Sequence, residues 1–207
     1  MMLGYRLSVM PKEDERYEQR EQEVKIRCHD NPLLNRPGIA LDTIAPRHFE
    51  DNWLLDFPDR RLTANHSVLR IRIVDDHGWL TFKGPPEPHA WLKERQEIEA
   101  PLAEPRRVLA ILRAIGLQCI FRYQKFRTEY RVRLPGGTTV RAMFDETPMG
   151  NFMELEGSEE ALAELIDRLR IPRQALIRES YPALWAERAR AAGEPLGDMI
   201  FSERSEE

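Results

Sequence analysis

Acidic and basic side chains recur along this sequence in pairs whose members are two residues apart. The acidic pairs are Glu21/Glu23 and Glu154/Glu156, and the basic candidates are Lys25, Arg70, Arg72, Lys83, Lys125, Arg127 and Arg141. Residues at this spacing share one face of a β-strand. Carboxylate pairs offer the hard oxygen ligands that Mg²⁺ or Mn²⁺ prefers, and lysine and arginine donate hydrogen bonds to phosphate oxygens. The spacing therefore predicts sites for divalent metal and for phosphate.

Alternation of charged and apolar residues places these candidates on strands. In the stretch REQEVKIRCH, Glu21, Glu23 and Lys25 alternate with Gln22 and Val24. Turn sequences such as PDRR, DDHG, GPPEP and LPGG separate several similar segments. The predicted strands are 20–29, 52–57, 67–74, 79–84, 93–100, 119–134, 138–146 and 151–157.

Helices interrupt this series of strands. The first has Pro105 in its first turn and stops at Gly116, and the second follows Ser158 as its N-cap. Strands linked mostly to their neighbours, with a few helices, predict an antiparallel α+β fold, and a closed barrel is one form of it. The predicted helices are 105–115, 159–170 and 182–192.

The charged faces of the strands need a common explanation. A single charged face is typical of a half-buried strand whose charges lie in water. Here six predicted strands combine an apolar face with a face of mixed charge. A barrel with these faces inside would gather the acids into one cluster and the bases into another, around a water-filled tunnel. Because buried charge is costly unless paired or bound to metal, such a tunnel predicts a polyanion and divalent cations.

Bulk properties narrow the classes of function. The chain has 207 residues and a net charge of −4, which gives no overall attraction to nucleic acid or an anionic membrane. Apolar runs are shorter than the roughly 20 residues that span a bilayer, and two cysteines fit a reducing cytoplasm. We predict a flexible leader at 1–19, one domain at 20–192 and a loose C-terminal tail at 193–207.

Several short motifs, taken in order, resemble one known family. EQEVK matches the Glu-x-Glu-x-Lys signature of the CYTH domain, whose members are also called triphosphate tunnel metalloenzymes. LRIR, LTFKGP and KFR are similar to the later basic elements of that family. DETPMGNFMELEG is similar to its Asp and Gly-x-Phe-x-Glu-x-Glu block, and SYPAL to its closing Ser-Tyr motif. The resemblance runs from about Glu21 to Leu184.

The resemblance implies an eight-stranded antiparallel β-barrel, the triphosphate tunnel, with helices packed on the outside. It implies that Mg²⁺ or Mn²⁺ would be held by Glu21, Glu23, Glu154 and Glu156, with Asp145 as a further ligand. The seven basic candidates would grip the phosphates, Lys83 would be catalytic, and Arg178 is a weaker candidate. The implied partner is a triphosphate-containing small molecule, and a homodimer could form through a barrel edge or the terminal helix.

Two departures from the family pattern affect the expected chemistry. Triphosphatase members typically carry a tyrosine that pairs with a lysine to activate water, and the matching position here is Leu54. Prolines in 30–47 predict a short or irregular connection where the family often has a helix.

Three functions stay open on the sequence. The leading hypothesis is a class IV adenylate cyclase-like enzyme that converts ATP to cyclic AMP and pyrophosphate. The alternative is a triphosphatase acting on inorganic, thiamine or nucleoside triphosphate. The second alternative is a non-catalytic binder of polyphosphate or nucleotide.

Overall fold

Nine strands carry most of the structure. The computed structural model describes residues 19–34 and 36–202, so the predicted leader lies outside the described residues except for Gln19. The strands are β1 Gln19–Cys28, β2 Ala40–Asp56, β3 Val68–Val74, β4 His77–Lys83, β5 Lys93–Leu102, β6 Gln118–Arg133, β7 Thr139–Thr147, β8 Gly150–Glu156 and β9 Leu176–Ile177. All eight long strands correspond to predicted strands, while the two-residue β9 was not predicted.

The eight long strands close into an antiparallel barrel, as predicted. Their order around the ring is β5-β4-β3-β2-β6-β7-β8-β1, and pairing of β1 with β5 closes it. We call this last pairing the closing seam; in it Glu21 lies opposite Arg95 and Glu23 opposite Lys93. Beyond the closing seam, β1 pairs with the short strand β9 at Lys25.

The helices begin and end where capping residues allow. The helices are α1 Arg61–Ala64, α2 Pro105–Ala114, α3 Glu159–Leu169 and α4 Tyr181–Ala192, and a 3-10 turn covers Arg173–Ala175. Ser158 and Ser180 each accept a hydrogen bond from a backbone N–H in the first turn of the helix that follows. Gly193 ends α4 with φ 66°, a conformation that glycine adopts at little cost. The single turn α1 was not predicted.

The apolar faces of the strands point outward, where helices cover them. Leu162 and Leu165 of α3 are fully buried in one cluster with Val24 and Leu155 from the barrel wall. On another side of the barrel, Leu109 of α2 packs in a second apolar cluster together with apolar residues of the barrel strands. The charged faces are therefore left for the interior. Within residues 19–34 and 36–202, none of the helices combines the length and apolarity that crossing a membrane would require.

Two segments that were predicted to be irregular or loose are ordered in the structure. Strand β2 starts at Ala40, inside the region expected to be an irregular connection, and its register with β6 shifts on both sides of Ala45. Those irregularities accommodate Pro46, which has no N–H to donate to a ladder. In the predicted loose tail, the described part runs to Ser202 and includes the fully buried Met199. The backbone of Met199 forms two hydrogen bonds with the backbone of β6, at 2.9 and 3.0 Å.

Candidate functional site

The inward faces of the barrel line a single cavity of about 820 Å³. Its wall contains eleven of the predicted site residues, contributed by six strands. Asp145 is fully buried and is not part of the wall, and Arg178 is an exposed residue away from the cavity. The lining residues are Glu21, Glu23, Lys25, Arg70, Arg72, Lys83, Lys125, Arg127, Arg141, Glu154 and Glu156.

Carboxylates gather beside the closing seam. Lys83 Nζ donates hydrogen bonds to both oxygens of Glu21, at 2.6 and 2.7 Å, and lies 2.8 Å from Glu97. Burial raises the pKa of Glu21, and neighbouring carboxylates, Glu23 first, raise it further against the opposing effect of Lys83. Burial also raises the pKa of Glu156, and Glu21 adds to that rise. In contrast, cations outweigh burial at the neighbouring carboxyls: Lys93 and others lower the pKa of Glu23, and Lys83 and others lower that of Glu97.

A denser network of ion pairs lies on the other side of β1. Lys25 Nζ is 2.9 Å from Glu154, which also contacts the Arg127 guanidinium. Asp145 accepts hydrogen bonds from Lys125 at 2.9 Å and from Arg127 at 2.6 Å. Three buried cations are thus held mainly by Glu154 and Asp145, and Glu50 lies 3.5 Å from Lys125 as a further partner.

Tyr181 of the Ser-Tyr motif completes this network. It is the first residue of α4, and its hydroxyl donates to Asp145 Oδ2 at 2.7 Å. Burial and the Asp145 charge raise the pKa of the Tyr181 phenol well above its usual value. Because both oxygens of Asp145 accept hydrogen bonds, this carboxylate is placed to hold cations rather than to face the cavity.

The arginines of β3 form the third part of the wall. Arg70 Nη1 donates to the Tyr123 hydroxyl at 3.2 Å, and Arg72 Nη1 is 3.5 Å from Glu50. Burial alone would raise the pKa of Glu50, but Arg72, Lys125 and other nearby cations hold it well below the usual value. Burial alone would also raise the pKa of Tyr123, but nearby cations, Arg70 first, lower it instead.

Arg141 marks a more open part of the cavity. Its side chain is 47% exposed, donates to Glu129 at 2.7 Å and lies 3.6 Å from Glu156. The predicted separation of acids and bases into two clusters is therefore replaced by pairing across strands. Pairing is the arrangement that makes buried charge least costly.

Sequence reasoning missed several residues of the wall. Lys93 donates to Glu23 at 2.9 Å across the closing seam, and Arg95 lies 3.5 Å from Glu21. The alternation of Lys93, Arg95 and Glu97 on one strand face was the signal that could have found them. Glu50 is fully buried behind the wall as a partner of Arg72 and Lys125, and it lies just before the predicted strand 52–57.

Two groups of side chains could offer ligand atoms to a divalent ion. Ligand atoms of His48, Glu50 and Glu129 lie within 4.8 Å of one another. Among the residues that the structure describes, the predicted set Glu21, Glu23, Glu154 and Glu156 does not form so compact a group. Cations contact both groups: Glu50 lies beside Arg72 and Lys125, and Glu21 beside Lys83. The two groups differ in pKa, which burial and neighbouring carboxylates raise for Glu21 and Glu156 but which cations lower for Glu50.

A closed antiparallel barrel around a charge-lined cavity defines an α+β tunnel protein. The family model described as CYTH domain matches residues 19–181, and the chain belongs to that family. This confirms the resemblance seen in the short motifs.

Known proteins of several organisms are similar to this chain. A protein of Methanocaldococcus jannaschii named "Putative adenylate cyclase" is 25% identical over 173 residues, covering 78% of this chain and 95% of the relative. The structure of a protein with a similar name from Vibrio parahaemolyticus has a TM-score of 0.63 and 21% identity, covering 79% of this chain and 95% of its own. A Hippeastrum structure, described as revealing a dominant triphosphatase activity, has a TM-score of 0.54 and 20% identity, covering 85% and 97%. The two structural likenesses support the fold alone.

Proposed function

We propose that this protein is a divalent-metal-dependent enzyme that acts on a triphosphate in its tunnel, with a class IV adenylate cyclase-like reaction. In that reaction the 3′-oxygen of ATP forms a bond to the α-phosphorus, and the bond from that phosphorus to the pyrophosphate oxygen breaks. The observation that carries the proposal is the enclosed cavity with Lys25, Lys125 and Arg127 buried in its wall. The name of the Methanocaldococcus jannaschii relative favours the cyclase reaction.

The buried cations would bind and orient the triphosphate. Glu154 and Asp145 fix the positions of Lys25, Lys125 and Arg127 before any ligand arrives. Donors that are already in place stabilise developing charge without reorganisation, and they hold the reacting atoms in line. Lys83, which lies between Glu21 and Glu97, is our candidate for the catalytic lysine. Arg70, Arg72 and Arg141 would complete the phosphate contacts.

The carboxylates near the closing seam fit a divalent cation. The raised pKa values of Glu21 and Glu156 reflect burial and repulsion between carboxylates, which a bound cation would relieve. We propose Glu21, Glu23, Glu154 and Glu156 as the residues that would hold Mg²⁺ or Mn²⁺, in exchange for the lysine contacts that Glu21, Glu23 and Glu154 make in this structure. Asp145 does not line the cavity, and we leave it to the cations it binds. When bound to the four glutamates, the ion would activate the attacking oxygen and neutralise charge on the leaving pyrophosphate.

A triphosphatase reaction is the second candidate. It uses the same contacts, with water in place of the 3′-oxygen. The activity described for the Hippeastrum protein favours it. Leu54 argues against the tyrosine–lysine form of that chemistry, because its side chain has no group that could accept a proton.

One set of assays tests the proposal. The purified protein is incubated with ATP, inorganic triphosphate or thiamine triphosphate, each with Mg²⁺ and with Mn²⁺. Cyclic AMP and pyrophosphate support the cyclase, orthophosphate supports the triphosphatase, and binding without turnover contradicts an enzyme. The variants Glu21→Gln and Glu154→Gln should abolish metal-dependent turnover. Glu94→Gln is the matched control, because Glu94 is a β5 acid that does not line the cavity.

A further inference from the structure

We infer that Lys93 and Arg95 of β5 are two further phosphate-binding residues of the tunnel, held by Glu23 and Glu21 until those carboxylates bind metal. The inference rests on the proposed function, because it takes the tunnel as a site for a triphosphate and a divalent cation. It adds a regulation of that site: metal and triphosphate bind cooperatively, because each takes one member of the same ion pairs. The seven basic candidates of the sequence include neither Lys93 nor Arg95.

Both cations are buried in the wall of the cavity. Lys93 is 9% exposed and Arg95 is 8% exposed, and both side chains line the cavity. The buried Nε of Arg95 has no hydrogen-bond partner among the described residues. Its ion pair with Glu21, at 3.5 Å, is longer than a charge-assisted hydrogen bond of about 2.7–2.9 Å. Because an unmet buried donor is costly, the Arg95 guanidinium suits an anion in the cavity.

Arg95 shares this feature with the two arginines of β3. Within residues 19–34 and 36–202, the Nε atoms of Arg70 and Arg72 are also buried without a hydrogen-bond partner. All three guanidiniums line the same cavity, and β4 lies between β3 and β5 in the ring. A guanidinium binds phosphate through two parallel N–H donors. Arg95 therefore extends the phosphate-binding wall from β3 to the closing seam.

The carboxylates that hold Lys93 and Arg95 are proposed metal ligands. Lys93 Nζ donates to Glu23 at 2.9 Å, and Glu21 contacts both Arg95 and Lys83. Once Glu23 holds a divalent cation, Lys93 is repelled by the added positive charge, and the same holds for Arg95 beside Glu21. A triphosphate in the cavity offers both side chains new acceptors. Because binding free energies are linked, each ligand should strengthen the binding of the other by the same factor.

The test measures the two ligands separately. Titration calorimetry gives the Kd of Mn²⁺ alone, and the Kd of uncleavable bismethylene triphosphate in saturating Mg²⁺, for wild type, Lys93→Gln and Arg95→Gln. Loss of the competing cation should tighten Mn²⁺ binding about threefold or more, and loss of a charged donor should weaken bismethylene triphosphate about tenfold. These opposite signs indicate exchange, because a residue that only supported the fold would weaken both ligands. Arg95→Lys, which keeps the charge, should restore most of the triphosphate affinity.

Arg70→Gln and Arg107→Gln are the controls. Arg70 lines the cavity but donates to Tyr123 and Thr81, which are not proposed metal ligands. Its loss should weaken bismethylene triphosphate and leave the Kd of Mn²⁺ within about twofold. Arg107 pairs with Glu104 at the start of α2, and its side chain is 74% exposed, so Arg107→Gln should change neither Kd.

The outcomes separate this inference from the proposed function. Failure of bismethylene triphosphate to bind wild type would overturn the proposed function and the inference with it. Unchanged triphosphate affinity in Lys93→Gln and Arg95→Gln would overturn the inference alone, as would Mn²⁺ affinity that is unchanged or weaker in both. Tighter binding of Mn²⁺ in a variant also shows that the variant is folded. Lys93→Met and Arg95→Met, which keep apolar stems, are a second pair of variants judged by the same two Kd values.

Discussion

Replacement of Asp145 by asparagine tests whether its carboxylate holds the cations of the tunnel. Asp145 is fully buried and accepts hydrogen bonds from Lys125, Arg127 and Tyr181 at 2.6–2.9 Å. Asparagine keeps the size of the side chain, but it removes the charge and turns one acceptor into an N–H₂ group. That group would then face a cation. The variant Asp145→Asn should therefore be folded but less stable.

The contacts set the magnitude of this effect. Removing one partner of a buried ion pair costs about 3–5 kcal/mol, because the remaining charge is left uncompensated. Glu50 and Glu154 lie 3.5 and 3.9 Å from Lys125 Nζ and would compensate part of that charge, so we expect about 3 kcal/mol. For a domain of this length, about 3 kcal/mol corresponds to a fall of roughly 10 °C in Tm.

The assay is thermal unfolding followed by circular dichroism, with Glu146→Gln as the matched control. Glu146 is the next residue of β7, and its ion pair with Arg47 is partly exposed, with 51% of the Arg47 and 32% of the Glu146 side chain accessible, so its loss should cost less than about 1 kcal/mol. Bismethylene triphosphate should raise the Tm of Asp145→Asn more than that of wild type, because its phosphates replace the lost negative charge beside Lys125 and Arg127. A loss in Asp145→Asn no larger than in Glu146→Gln would refute the reasoning.

Three further measurements test other parts of the structure. Tyr123→Phe removes a buried partner of Arg70 and should weaken binding of bismethylene triphosphate about tenfold, whereas unchanged affinity in titration would separate Tyr123 from the phosphate site. The carboxyl of Glu50 has a lowered pKa when folded, so its contribution is present above its unfolded pKa of about 4.5 and is lost as the pH falls. The free energy of unfolding, measured in urea, should therefore fall below about pH 4.5 by up to about 1.4 kcal/mol per pH unit for such a group. In the variant Glu50→Gln the free energy of unfolding should fall less steeply with pH. Met199→Ala should cost about 2–4 kcal/mol in urea unfolding because Met199 is fully buried, and a loss no greater than that of the exposed control Leu196→Ala would contradict its role in the core.

Alternation along single strands was enough to predict much of this fold. Lys125 and Arg127 lie on either side of Phe126 in the sequence, and both are buried on the inside of the barrel. Val24 lies on the opposite face of its strand and packs beneath α3. Because a strand has only two faces and the helices must cover the apolar one, the charged face is left for the interior. The inward direction of the eleven predicted residues in the cavity wall follows from that argument.

Alternation along a single strand does not predict which residues of different strands contact each other. Nothing in the segment around Lys83 indicates that its ammonium contacts Glu21, which is 62 residues away. The contact depends on register in two ladders, β4 with β5 and β5 with β1. The early start of β2 was missed because Pro46 and an irregular pattern conceal a strand that its long pairing with β6 stabilises. The shift in register between β2 and β6 at Leu54 and Leu55 was not predicted, because such a shift exists only relative to the partner strand.

The ion pairs of the tunnel connect formation of the site to closure of the barrel. Lys93 with Glu23 and Arg95 with Glu21 join β5 to β1 at the closing seam, and Lys83 also reaches Glu21 from β4. A shifted register at the seam would separate several of these buried charges from their partners together, and each separation costs free energy. The residues proposed to hold metal are thus among those that fix how the barrel closes. A single strand shows the alternation of these charges, but only the closed ring determines which acid meets which base.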